Sequence, residues 1–93
     1  PLLLLCRCRP GGSSVVVEAR DVGVGGVFVV VDPPPKLHQE VVVSFAGFRL
    51  PGQVVRVQRG GLDRGRPVAP GCAVAFHGVD EPTLMALAKL LTS

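Results

Sequence analysis

The residues best equipped for chemistry lie in one run, Glu18-Ala19-Arg20-Asp21-Val22-Gly23-Val24-Gly25-Gly26-Val27-Phe28-Val29. A valine-rich β pattern enters an acidic, glycine-rich turn and leaves it as a second β pattern. Glycine can adopt positive φ and lets a partner approach the backbone closely. With no bulky side chain between Gly23 and Gly26 except Val24, the N–H groups are expected to stay open to a ligand, and Asp21 adds one fixed acceptor. These are groups that bind; none of them forms a reacting pair.

The other chemistry-bearing residues are scattered. Cys6, Cys8 and Cys72 make an odd count without framework spacing, which argues against a disulfide-stapled fold. A zinc site from Cys6, Cys8, Cys72 and His77 is conceivable, but one C-x-C without a second knuckle reads better as buried structural thiols. In a strand, Cys6 and Cys8 share a face with Leu2 and Leu4 and leave Arg7 and Arg9 on the other. His38 and His77 have no carboxylate or nucleophile at a recognisable spacing, and Ser13, Ser14 and Ser44 lie in no nucleophile elbow. The turn is not a dinucleotide fingerprint either: G-x-G-x-x-G would need glycine where Phe28 stands, and no helix follows. The chain is therefore read as non-enzymatic, without cofactor or metal.

Composition narrows the partner. At 93 residues the chain is one domain with one modest core. Its hydrophobic content of 47% is dominated by valine, which favours strands. Without Trp or Tyr it lacks the stacking platform of a single-strand nucleic-acid binder. A net charge of +3, scattered along the chain, makes no DNA-binding face but suits an anionic small ligand. Leu2–Leu5 is too short for a membrane span or a signal sequence, so a soluble cytoplasmic domain is the expectation, with no membrane partner. Because the chain begins with Pro1, it is read as a fragment or processed product lacking an N-terminal flank.

The elements that must position the turn follow from hydrophobic period. Strands are expected at Leu2–Arg9, Val15–Arg20, Val27–Val31, Glu40–Phe45, Gln53–Gln58 and Ala73–His77, each alternating with a period of two. Within Gln53–Gln58, Val55 and Val57 alternate against Val54 and Arg56. Pro10–Ser13 and Asp32–Pro35 are breakers, and Gly60–Gly71 reads as a mobile basic loop. Leu84, Leu87, Ala88 and Leu91 then fall at i, i+3, i+4 and i+7, predicting an amphipathic helix over about residues 82–91 that covers the barrel. Asp80 stands at its N-cap, with Glu81 and Pro82 in the first turn. Short strands at this spacing predict a sandwich or small barrel.

Taken in order, Asp21-x-Gly23-x-x-Gly26-x-Phe28-Val29, Val41–Phe45, Gly52-Gln53-Val54-Val55-Arg56-Val57, Pro70-Gly71-Cys72-Ala73-Val74-Ala75-Phe76, and Asp80 with its leucine-rich helix resemble the PilZ domain family. The resemblance covers roughly residues 15–93. It implies a six-stranded antiparallel β-barrel with one C-terminal α-helix, and a regulatory module that binds cyclic di-GMP. It also implies a two-part site: a paired-arginine R-x-x-x-R segment ahead of the first strand and a D/N-x-S-x-x-G turn. In this chain Asp21 and Gly26 match the turn, Gly23 replaces its serine, and the paired-arginine segment is missing. Arg20 is the nearest cation to the turn. The ligand-binding residues expected are thus Arg20, Asp21, Gly23 and Gly26, in a degenerate and weak site. The alternative is an adaptor of the same fold that binds a protein partner and no nucleotide.

Overall fold

The computed structural model describes residues 2–6, as backbone only, and 14–92. Six strands close into an antiparallel barrel: β1 (Leu2–Cys6), β2 (Ser14–Arg20), β3 (Gly26–Val30), β4 (Glu40–Phe45), β5 (Phe48–Gln58) and, after a small hairpin, β8 (Gly71–Phe76). Their order around the barrel is β1-β2-β3-β8-β5-β4, with β4 returning to β1. The hairpin, β6 (Gly61–Asp63) and β7 (Arg66–Val68), forms a separate two-stranded sheet, and one helix, α1 (Glu81–Thr92), is the last element among the described residues.

Alternation builds the interior. Val17, Val27, Val29, Val41, Val43, Val54, Cys72 and Val74 point inward and are at most 7% exposed. Burying each of these valines stabilises the fold by about 1.5–2 kcal/mol relative to exposure. The residues between them, such as Glu18, Arg20 and Phe28, necessarily line the outer wall. Cys72 is a core thiol, fully buried. The expectation that Cys6 and Cys8 are buried lies outside the described side chains.

Closure depends on β5, which is longer than the sequence pattern predicts. Its first half, Phe48–Gln53, pairs with β4, and its second half, Gly52–Gln58, pairs with β8. One strand thus serves two neighbours at a stagger, as a closed barrel requires. Pro51 and Gly52 look like breakers, yet both lie within the strand. The Pro51 carbonyl accepts from the His77 N–H at 3.0 Å, so its missing N–H falls on the same side, at the last rung beside β8. A bulge at Val55 lies between the pairs Val54↔Val74 and Arg56↔Ala73. It overturns the expected alternation: Val54 is buried and Arg56 is exposed, while Val57 packs against the core. Without the extra residue the Arg56 guanidinium would have followed Val54 inward, where an unpaired charge is very costly.

The segment read as a mobile loop is also corrected. Gly61–Asp63 pairs with Arg66–Val68 around Arg64 and Gly65, both at positive φ. The helix runs one residue further at each end than predicted. Asp80 caps it, accepting from the Thr83 N–H at 2.9 Å through Oδ1 and from the Leu84 N–H at 3.0 Å through its carbonyl. Leu87 is fully buried and Leu84 and Ala88 are half-buried, while Leu91 is exposed, so the predicted stripe turns inward over its first three positions and not its fourth.

Strand directions sort the connections between the two ends of the barrel. The turn at 21–25, the two-residue turn at 46–47 and the link at 77–80 lie at one end. The segments at 31–39 and 59–70 lie at the other.

Candidate functional site

The glycine turn leaves β2 at Asp21, which takes φ 52°, the left-handed region that aspartate tolerates better than most residues. Gly23, Gly25 and Gly26 do not lie in that region, so the positive φ expected of the glycines falls on the acid instead. Gly26 has a different reason to be glycine. A Cβ there would stand 2.3 Å from the Val74 carbonyl oxygen, so only a bare backbone lets β3 lie against β8.

Two hydrogen bonds shape the turn. The Gly23 N–H donates to the Gly26 carbonyl at 2.9 Å, and the Phe76 N–H donates to the Gly25 carbonyl at 2.9 Å. Gly23's donor is therefore used internally, contrary to the expectation that every N–H of the turn stays open. Those of Val22, Val24 and Gly25 have no backbone acceptor among the described residues. Val22 packs against the core and anchors the turn, which leaves Asp21 exposed with a carboxylate that has no partner among the described residues.

Beside the turn, register aligns side chains that are distant in sequence. Arg20 stands opposite Phe28, Phe28 opposite Ala73, and Ala73 opposite Arg56. All four are on the outer wall. The Arg56 guanidinium lies 5.8 Å from the centroid of the Phe28 ring, within cation–π range. Phe28 in turn lies over Gly71, where a Cβ would meet its ring at 2.9 Å. The result is a row with an aromatic plate between two cations. Four adjacent strands carry it, so it spans about 14 Å between the outer Cα atoms. Arg20 is not idle: its Nε and Nη2 each lie 3.1 Å from Glu18 Oε2, with both side chains more than half exposed. Arg56 and Phe28 were not among the residues picked from sequence, because nothing local to either marks them.

The structure brings Arg20, Asp21, Gly23 and Gly26 together at one end of the outer wall. It separates the two members of the conceivable zinc set whose side chains are described. Cys72 points into the core, while His77 is exposed with Nε2 at 3.1 and 3.3 Å from the Glu40 carboxylate oxygens. They are five positions apart on extended chain, roughly 16 Å, too far to share an ion. Among the described residues, no group of His, Cys, Asp or Glu is placed to hold a metal.

The model of the PilZ domain family matches residues 1–93, the whole chain. The chain belongs to the PilZ family. PilZ domains are regulatory modules that bind cyclic di-GMP as a ligand rather than a cofactor, and they are not catalysts. No curated protein sequence and no solved structure matches the chain. Among the described residues no helix is long and apolar enough to cross a membrane.

Proposed function

We propose that this PilZ domain is a regulatory module with a degenerate site that takes cyclic di-GMP weakly on the outer wall of the barrel. The observation that carries the reading is the juxtaposition of the unpartnered Asp21 carboxylate with the row Arg20–Phe28–Ala73–Arg56. A guanine needs a carboxylate or carbonyl for its ring N–H groups and a flat face to lie on. A phosphate needs a guanidinium. Asp21 supplies the first, Phe28 with Arg56 the second, and Arg20 or Arg56 the third.

Within residues 1–93 the site is incomplete in chemical terms. No two arginines of the chain stand four apart, and Gly23 brings no hydroxyl. Each charge-assisted hydrogen bond that the site lacks weakens binding by about 1.5–3 kcal/mol. Arg20 must also exchange its Glu18 carboxylate for a phosphate, which makes a second charge compete with the ligand. The expected dissociation constant is on the order of tens of micromolar or weaker.

Calorimetry with cyclic di-GMP tests this on the chain itself and on Asp21→Ala, Arg56→Ala and Glu18→Gln. Asp21→Ala and Arg56→Ala should each weaken binding about tenfold, and Glu18→Gln should strengthen it by releasing Arg20. Binding that none of the three changes would place the ligand elsewhere. The second reading, an adaptor without nucleotide, draws on α1, where Met85 is 67% and Leu90 42% exposed on a helix already apolar on its inner side. No heat with cyclic di-GMP at millimolar concentration would favour it.

A further inference from the structure

At the end of the barrel remote from the glycine turn, the β3–β4 connection and the end of β5 border a half-open cleft of about 630 Å³. That is the size of a small-molecule site, which typically measures roughly 300–1,000 Å³. One wall is Pro33, Pro34, Pro35 and Leu37, and Val57 and Pro70 complete the apolar lining. Proline has no rotamers to lose and a fixed φ, so this wall needs no ordering when a ligand arrives.

The two connections that form the cleft are tied to each other and to the barrel. The Val31 N–H donates to the Pro70 carbonyl at 3.0 Å, and Gln58 Nε2 donates to the Ala69 carbonyl at 2.7 Å. Lys36 is held by its backbone: its N–H donates to Gln39 Oε1, and its carbonyl accepts from the Gln39 N–H, both at 3.1 Å. The His38 N–H donates to the Val54 carbonyl at 2.8 Å, fixing the same segment to β5.

Three charged side chains enter the lining: Lys36, Arg59 and Asp32. None makes an ion pair among the described residues. Two cations less one carboxylate leave one net positive charge beside an apolar wall. We propose that this cleft is a second ligand site, for a small organic carboxylate with an apolar body. Lys36 and Arg59 take the carboxylate, and the proline wall with Leu37 and Val57 takes the hydrocarbon. One negative charge balances the lining. A phosphate dianion would overbalance it and face Asp32, and among the described residues no helix N-terminus lies at this end to compensate, since α1 begins at the other. The inference does not rest on the cyclic di-GMP reading: no residue of that outer row lines the cleft, although the row ends at Arg56, the chain neighbour of Val57.

Amide NMR on the chain, titrated with 4-phenylbutyrate, 4-phenylbutanol and inorganic phosphate in separate arms, tests it. The carboxylate should shift the amides of Lys36, Leu37, Val57, Arg59 and Gly60, with a dissociation constant on the order of millimolar. Lys36→Ala and Arg59→Ala should each weaken it about tenfold, and Arg59→Lys should retain most of it. Both positions are exposed, so the variants keep the native spectrum elsewhere. The alcohol binding as tightly as the carboxylate would overturn the role of the two cations. Phosphate binding as tightly would overturn the ligand class. Shifts absent from the cleft, or unchanged in the doubly substituted chain, would overturn the site.

Discussion

By the resemblance, Gly23 takes the place of the serine in the family's turn, and the backbone around it leaves room for one. A Cβ built there meets nothing nearer than the Gly26 carbonyl oxygen at 4.0 Å, and its φ is outside the left-handed region. Gly23→Ser should therefore fold without strain. It should also stabilise the domain by about 0.4–1 kcal/mol, because the unfolded chain loses glycine's freedom. The hydroxyl it adds, two residues beyond Asp21, should tighten cyclic di-GMP binding about fivefold. Gly23→Ala shares the first effect and lacks the second, so calorimetry on the two separates them; equal affinities would remove the hydroxyl from the argument. Gly26 behaves in the opposite way. Gly26→Ala drives a methyl into the Val74 carbonyl and should cost about 2–3 kcal/mol in urea unfolding.

At the scale of the elements, the β4–β5 turn and the helix cap make separate predictions. Phe45 pairs with Phe48 across Ala46 and Gly47, whose φ values are 50° and 84°. The two rings, 6.0 Å apart, close the hairpin. Alanine in the left-handed region costs about 1 kcal/mol, and asparagine costs less. Ala46→Asn should raise unfolding free energy by about 0.5–1 kcal/mol, and Ala46→Val should lower it; a urea series on both decides the sign. At α1, hydrogen bonds from the Thr83 side chain and backbone hold the Asp80 carboxyl below its usual value. A depressed native value means stability that is present above the unfolded value and lost as pH falls through the native one. Asp80→Asn keeps a capping oxygen that does not titrate. Its urea midpoint relative to the parent chain should therefore improve as pH falls from about 5 to about 2. A constant difference would show that the cap does not contribute to acid sensitivity.

These elements also show what the sequence made legible. The barrel and helix could be read because Val27, Val29, Val41 and Val43 keep a strict period of two, and Leu84, Leu87 and Ala88 keep the helical one. Arg20, Asp21, Gly23 and Gly26 were legible as a group because they are neighbours in the chain. The first half of β5 was hidden by Pro51-Gly52, whose tolerance depends on where β8 stops pairing, a tertiary fact. Arg56 and Phe28 were hidden for a related reason. A bulge turns the arginine outward, and cross-strand register places it over a ring 28 residues earlier in the chain. No local pattern encodes either event.

On the scale of the whole molecule, core and proposed ligand face are separate sets of residues. The interior is made by Val17, Val29, Val43, Val54 and their neighbours, and the outer row by Arg20, Phe28 and Arg56. A ligand on that row leaves the packing unchanged, so it couples to folding only by mass action, as RT ln(1 + [L]/Kd). At about a hundred times its dissociation constant, cyclic di-GMP should add about 2.7 kcal/mol. For a domain of this size each kilocalorie raises the melting temperature by roughly 4–8 °C, so the shift is easily measured even for a weak site. On the proposed row the ligand's phosphates would face exposed guanidiniums, and salt screens such pairs within about 8–10 Å at physiological ionic strength. The shift should therefore shrink as salt is raised, while the melting temperature of the free chain, set by a valine interior, changes little. Parallel melts at low and high salt, with and without the dinucleotide, give both quantities. A ligand-induced shift that persists undiminished in high salt would mean that the nucleotide is held by buried contacts, and the outer row would not be its site.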